Sequence, residues 1–314
     1  MKVISTFSGC GGSSLGYKMA GCQVVAAVEW EDNAVAAYRA NHPTTKVFHG
    51  DIAKVTGAQL MEATGLEFGE LDVLDGSPPC QGFSTAGQRA LSDPRNKLFQ
   101  QQLRLIDELG PKHVVLENVA GMIKGKMRRV AGEIVRELKE RGYRVAAGLM
   151  EAQYFGVAQR RPRVFFIGSK THKPTLPRPT SRPTMAGDAL VGVTPGPVPR
   201  MGPANRLFAR HGHPGECGGD YLKRIGRKPN WFGRRMLHPR QVSPTLTKAA
   251  GDYIHWDRRL LAVNERLVLT GFPEDYILPG SFSEQCARIG NSVAPPMTEA
   301  IARTLMAGHD EANR

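Results

Sequence analysis

The residues of this chain best suited to chemistry begin with a cysteine behind two prolines, Pro78-Pro79-Cys80. Residues 71–75 have the composition of a buried strand, which stops at Gly76-Ser77. Strand ends are where an α/β sheet presents groups to a ligand. Two prolines fix the backbone ahead of the thiol without adding hydrogen-bond donors. A thiol held in this way is a candidate nucleophile. A lone cysteine is more commonly a small buried apolar residue. The prolines, and the Gln81-Gly82-Phe83-Ser84 that follows, favour the reactive reading here. Glu117, in Glu117-Asn118-Val119, also ends an apolar strand, residues 114–117. A partly desolvated acid at the mouth of a parallel sheet can hold or donate a proton near neutral pH. Gln159-Arg160-Arg161-Pro162-Arg163 precedes another strand. A spacing of two puts Arg161 and Arg163 on one side of extended chain. Guanidinium forks suit carbonyl, carboxylate and phosphate oxygens.

A second group of residues has the character of a nucleoside site. In Phe7-Ser8-Gly9-Cys10-Gly11-Gly12 the glycines let backbone pass close to a ligand, and the helix that follows adds a positive dipole. The third glycine of a dinucleotide fingerprint is absent, because Ser14 stands there. The next strand, residues 24–29, ends at Glu29, 20 residues after Gly9. An acid at that place suits ribose hydroxyls, and Trp30 offers a flat face to an adenine. Gly50-Asp51-Ile52 follows a third short strand and can meet the adenine edge. Together these residues imply an adenosyl ligand without a pyrophosphate.

The elements that must position these groups alternate. Strands are expected at residues 3–7, 24–29, 71–75, 114–117, 143–150 and 164–167. Helices are expected at 13–20, Asp32–Asn41, Lys97–Leu109 and 128–141. Alternation of this kind implies a doubly wound, mostly parallel sheet with helices on both faces. Cys80 and Glu117 then fall at neighbouring strand ends over one crevice. The pattern breaks after Gly168. Residues 171–203 are crowded with proline, and basic and aromatic residues follow, among them Arg227-Lys228, Trp231-Phe232 and Arg234-Arg235. Helical periodicity returns near 264–269 and at 297–306, and no internal repeat is present.

Composition sets outer bounds. The chain has 314 residues, 41% hydrophobic and 23% charged, as in ordinary globular proteins. No stretch has the apolar length of a membrane span, and Met1-Lys2 leads into Val3-Ile4 without a signal-peptide pattern. No membrane partner and a cytoplasmic location are the expectation. Cys10, Cys22, Cys80, Cys217 and Cys286 are odd in number and widely spaced, which argues against a disulfide framework and against a metal site. The net charge is 42 − 29 = +13. Such an excess of Lys and Arg suits a polyanionic partner.

With these motifs in order along nearly its whole length, the chain resembles the DNA (cytosine-5) methyltransferase family. The match includes FSGCGG at 7–12, Glu29-Trp30, GDI at 50–52, PPCQGFS at 78–84 and DPRNKLF at 93–99. It continues with ENV at 117–119, QRRPR at 159–163, ERLVLTGFP at 265–273 and IGNSVAPP at 289–296. The resemblance implies a Rossmann-like catalytic and cofactor-binding domain from residues 1–170 plus a returning segment, 275–314. A smaller, irregular target-recognition domain is implied at 171–274. It implies that Cys80 attacks carbon 6 of cytosine, that Glu117 engages ring nitrogen 3 and the exocyclic amine, that Arg163 binds the base carbonyl, and that Arg161 supports the site. S-adenosylmethionine, leaving as S-adenosylhomocysteine, is the implied cofactor. Phe7, Gly9, Gly11, Gly12, Glu29, Trp30, Asp51, Ile52, Pro79, Leu98, Asn291 and Ser292 are its expected surroundings. Double-stranded DNA is the implied partner, met by Gln81, Ser84, Arg95, Arg234 and Arg235. A monomer is expected, with a cognate restriction endonuclease that does not bind it directly.

The chain departs from the family pattern in places. The family often has an acid two residues before Phe7, where this chain has Ser5. Asn264 replaces the usual basic residue before Glu265, and Thr270 the usual glutamine before Gly271. Three other readings compete. The RNA-acting branch of the family tends to carry a Cys-Phe-Thr segment, which this chain lacks. A catalytically inactive DNA-binding homologue would ordinarily lose the nucleophile or the acid. A Rossmann dehydrogenase is disfavoured by Ser14.

Overall fold

The computed structural model describes residues 1–79 and 97–312. In the first of two compact units, apolar strands alternate with amphipathic helices. They are β1 (Lys2–Thr6), α1 (Gly12–Met19), β2 (Gln23–Glu29), α2 (Asp32–Asn41), β3 (Lys46–His49), α3 (Gly57–Thr64) and β4 (Val73–Gly76). Then come α4 (Lys97–Leu109), β5 (His113–Val119), α5 (Arg128–Glu140), β6 (Arg144–Glu151) and β7 (Pro162–Ser169). The strands form one sheet in the order β3-β2-β1-β4-β5-β7-β6. The chain winds outward from β1 to β3 and then returns to β4 on the other side of β1. That reversal places a crevice at the C-terminal ends of β1 and β4.

Ile4, Leu74, Val114 and Leu116 are buried because helices cover both faces of the sheet. α4 contributes Leu103 and Ile106, and α5 contributes Val130, Ile134 and Leu138, to the same core. These residues recur at helical spacing, so each helix buries one stripe.

β1, β2, β3, β4 and β5 are parallel, whereas β7 runs antiparallel to both β5 and β6. A parallel neighbour requires a long crossover, usually a helix. The segment between β6 and β7 carries only a single 3-10 turn, Ala152–Tyr154, so β7 folds back as a hairpin partner of β6. β7 thereby slots between β5 and β6.

The second compact unit comprises Ala152–Arg161 and Pro179–Ala294. Its elements are short: α6 (Ala186–Ala189), α7 (Pro203–His211), α8 (Gly218–Arg224), β8 (Arg235–Met236), β9 (Tyr253–Ile254), α9 (Val263–Leu269) and α10 (Phe282–Asn291). Two small apolar clusters hold it, one around Leu237, Leu246 and Leu261, the other around Phe208, Tyr221 and Met236. α11 (Pro295–Ala312) belongs to the first unit and packs on α1. Gly16 permits that contact, since a Cβ there would collide with the Pro295 carbonyl and Thr298. Contacts thus begin the returning segment at Pro295 rather than at 275, because α10 packs with α9. Among the described residues no helix is long and apolar enough to cross a membrane, and no cluster of residues suits a metal ion.

Candidate active site

The glycine-rich turn leaves β1 through left-handed backbone. Phe7 has φ 51°, Gly9 φ 55° and Gly11 φ 94°. Left-handed conformation is costly for a residue with a side chain, and such strain gathers at functional sites. Glu29, at the end of β2, braces the turn. Its carboxylate accepts from Gly9 N at 2.7 Å, Trp30 N at 2.9 Å and Glu31 N at 3.0 Å. An ionised carboxylate has about four acceptor sites, so capacity remains for a ligand hydroxyl. Trp30 beside it is 73% exposed, an unusual fate for a large apolar ring. Asp51 caps the turn Ile52–Lys54 by accepting from Ala53 N at 2.9 Å, and Ile52 is buried beneath it.

α1 starts at Gly11 and Gly12 without a side-chain cap and without an acid in its first turn. Helix N-termini of this kind suit an anionic ligand group. His42 supports the turn from behind, its Nε2 donating to the Gly11 carbonyl at 3.2 Å. Burial, with Lys18 nearby, pushes the His42 imidazole down to about 4, so it is neutral at physiological pH.

The second half of the site lies at the ends of β4, β5 and β7. Gly76 pairs with Leu116, so both parallel strands finish side by side. Asn118 Nδ2 donates to the Pro78 carbonyl at 3.2 Å and ties the end of β5 to the proline pair. Pro78 is buried and Pro79 exposed. Glu117 Oε1 meets Arg163 Nε at 2.8 Å, each side chain only 11% exposed. Antiparallel pairing of β5 with β7 sets Val119 opposite Arg163, which brings that guanidinium back to Glu117. A sheltered acid and a guanidinium therefore share one place at the sheet's edge of the crevice. Leu98, at the start of α4, is 38% exposed. Cys80, Gln81, Ser84 and Arg95 lie outside the described residues.

Arg161 departs from the expectation of a pair with Arg163. It belongs to the second unit and is fully buried. Its guanidinium donates to the carbonyls of Leu246 at 3.1 Å, Gly290 at 2.8 Å and Ser292 at 2.6 Å. Those bonds brace the segment after α10. Asn291 ends α10 and is exposed, while Ser292 is buried with its hydroxyl on the Ile289 carbonyl. Arg234 stacks over Trp231 at 4.7 Å and donates to Asn205 at 2.6 Å, whereas the Arg235 side chain is exposed. Two departures also find local partners. Thr270 accepts from the buried Gln159 amide at 3.0 Å, and Asn264 donates to the Thr194 carbonyl at 2.7 Å.

Asp75 is the residue that motif reading passed over. It lies in β4, 4% exposed, one strand away from Ser5 and in register with it. Ser5 Oγ donates to it at 3.0 Å, Ser13 Oγ at 2.7 Å and Tyr17 OH at 3.4 Å. Burial raises its carboxyl to about 6, against the pull of those hydroxyls, with the Glu117 charge adding to the rise. An acid inside an otherwise apolar strand, near a Ser-rich turn, was the available signal.

A doubly wound sheet with a glycine-rich turn after β1, and an acid at the end of β2, defines a Rossmann-like methyltransferase fold. Solved structures agree. One is a protein assigned as a DNA modification methyltransferase and encoded within an Escherichia coli prophage, with TM-score 0.77 and 24% identity over 99% of both chains. Another is the Schizosaccharomyces pombe Dnmt2 methyltransferase, with TM-score 0.69 and 19% identity over 98% of both. Residues 1–189 and 216–307 match the sequence model of the C-5 cytosine-specific DNA methylase family, and the chain belongs to that family. It is 31% identical to the type II methyltransferase M1.HphI of Haemophilus parahaemolyticus, over 96% of this chain and 86% of that protein. It is 35% identical to M.XorII of Xanthomonas oryzae pv. oryzae over 77% of this chain, which spans 57% of that longer enzyme.

Proposed function

We propose that the protein transfers a methyl group from S-adenosylmethionine to carbon 5 of a cytosine flipped out of duplex DNA, through a covalent bond to Cys80. The observation that carries this reading is the Glu117–Arg163 pair beside the Pro78-Pro79 segment, which Asn118 ties to β5. The turn fits an adenosyl compound: α1 is uncapped toward an anionic group, Glu29 retains an acceptor for ribose, and Trp30 is exposed for a base. When bound there, S-adenosylmethionine supplies an electrophilic methyl group.

Carbon 5 of cytosine is a poor nucleophile by itself. The Cys80 thiolate adds to carbon 6, forming a sulfur–carbon bond and moving an electron pair toward carbon 5. Glu117 engages ring nitrogen 3 and the exocyclic amine, which favours that addition, and Arg163 binds the base carbonyl. Methyl transfer, loss of the carbon-5 proton and departure of the thiolate restore the aromatic ring. Arg161 acts indirectly, by bracing residues 290–292. A stacked base is out of reach, so flipping costs on the order of a few kcal/mol, offset by phosphate and groove contacts.

Target recognition falls to residues 171–274. A small polar pocket in the second unit is lined by Arg160, Arg235, His238 and Gln241, groups suited to base edges and phosphates. Arg234 packs that unit and so supports Arg235. The enzyme acts as a monomer on cytoplasmic DNA, a reading supported by its asymmetric plan, with a separate nuclease of the same specificity as its companion. Bisulfite sequencing of plasmid from cells expressing the protein is the test. New 5-methylcytosine at one sequence, absent with Cys80→Ala, is the expected result; no new methylation with the active chain overturns the proposal.

A further inference from the structure

The strongest unexplained feature is a buried polar layer beneath the glycine-rich turn. Asp75 gathers hydroxyls from two elements: Ser5 from β1, Ser13 and Tyr17 from α1. The next layer continues it, with Tyr38 OH donating to Ser14 Oγ at 2.8 Å. Ser13 and Ser14 stand in the first turn of α1, directly after Gly12. Buried charges are expensive unless they are hydrogen-bonded, so this acid is held in place by groups that also shape the turn. Its place is telling. Ser5 donates to Asp75 across the register-matched strand pair, so the acid on β4 is tied to β1 as well as to α1.

We propose that Asp75 is a positioning residue for the cofactor: from β4 it fixes the first turn of α1 in the shape that takes the adenosyl compound. The inference rests on the reading of that turn as the cofactor site. Asp75 acts through Ser13 rather than by contact with the ligand. The ionised form is the effective one, since its charge strengthens the bonds it accepts from all three hydroxyls, and protonation removes that charge. The titratable groups facing Asp75 are Tyr17 from α1, Tyr38 from α2 and Glu117 from β5. Burial raises both tyrosines, so neither ionises in the range where Asp75 does.

The test is calorimetric binding of S-adenosylhomocysteine to the full chain. Asp75→Asn and Asp75→Ser should bind roughly tenfold more weakly, the scale of losing one hydrogen bond to a charged group. KM for S-adenosylmethionine should rise with them while kcat at saturation changes little. Wild-type affinity should fall as pH drops through about 6, and Asp75→Asn should show no inflection there. The double variant Ser5→Asp/Asp75→Ser should recover most of the affinity lost by Asp75→Ser, because the carboxylate returns to the adjacent strand on the same face. Wild-type affinity in Asp75→Asn, or no recovery in the double variant, overturns the inference. If the Asp75 variants do not fold, Ser13→Ala cuts the same link: weaker binding supports the inference and unchanged binding overturns it. Absence of binding by the wild type refutes the cofactor reading itself, and this inference with it.

Discussion

Replacing Asp75 by asparagine should change how stability depends on pH, and the size of the change follows from its surroundings. The Asp75 carboxyl is raised from 3.8 to about 6, with burial as the leading cause. Between those values the unfolded chain has lost this proton while the folded chain keeps it. The folded state then binds more protons, so stability falls as pH rises through that window and levels off above about 6. A displacement of about two units corresponds to about 3 kcal/mol that ionised Asp75 costs the fold at neutral pH. Asparagine cannot ionise. The stability difference between Asp75→Asn and wild type should therefore shift by about 3 kcal/mol in favour of the variant between pH 4 and pH 7.

Urea unfolding of both proteins, followed by circular dichroism at several pH values without cofactor, measures that difference. Titrating groups that are not coupled to Asp75 are common to the two chains and cancel. The amide nitrogen of asparagine brings its own cost, so the pH slope of the difference is the informative quantity rather than its value at one pH. A difference that stays flat within about 1 kcal/mol from pH 4 to pH 7 would show that Asp75 is not an acid of raised pKa. Paired with weaker cofactor binding, the expected result describes a residue kept at the expense of stability because the turn needs it.

Glu117→Gln should lower methyl transfer by roughly 10²- to 10⁴-fold while DNA affinity is retained, measured with a labelled methyl donor; near-normal rates remove Glu117 from the chemistry. Trp30→Ala should weaken S-adenosylhomocysteine binding by up to about tenfold, the scale of one aromatic stacking contact, without lowering the melting temperature. Equal affinity would exclude Trp30 from the adenine face. Gly16→Val should destabilise the protein by roughly 1–3 kcal/mol, since α11 cannot back away from α1 without losing its packing. An unchanged unfolding midpoint contradicts that close approach. DNA binding should weaken steeply with salt, and Arg235→Ala should reduce the slope by about one phosphate contact. A slope equal to wild type places Arg235 off the DNA.

What was legible in the sequence was what local pattern controls. α2 and α4 span Asp32–Asn41 and Lys97–Leu109, the ranges that apolar spacing marks out. Glu29 and Trp30 stand at a strand end, as the motif order requires. The strand expected at 114–117 extends to Val119 because β7 supplies partners as far as Arg163, a fact that lives in the pairing and not in the residues of β5. The meeting of Glu117 with Arg163 has the same origin. Arg161 lies just outside that strand: alternation along extended chain holds only inside it, and β7 begins one residue later, at Pro162. In residues 171–274 the elements are too short for a period to show, down to two residues in β8 and β9. Side-chain bonds to backbone, such as Asn205 to the Gly251 carbonyl, add to the two small apolar clusters in holding them.

The serine at position 5 looks like a loss when the motif is scored residue by residue. Sheet register changes its meaning. Ser5 and Asp75 are partners across β1 and β4, although 70 positions separate them in the chain. A carboxylate on either strand points to the same face of the sheet, a single strand spacing of about 4.8 Å apart. It can reach hydroxyls in the first turn of α1 from either side. Under the proposal, such a function belongs to a location in the sheet rather than to one motif position, with the serine of β1 donating to the acid of β4.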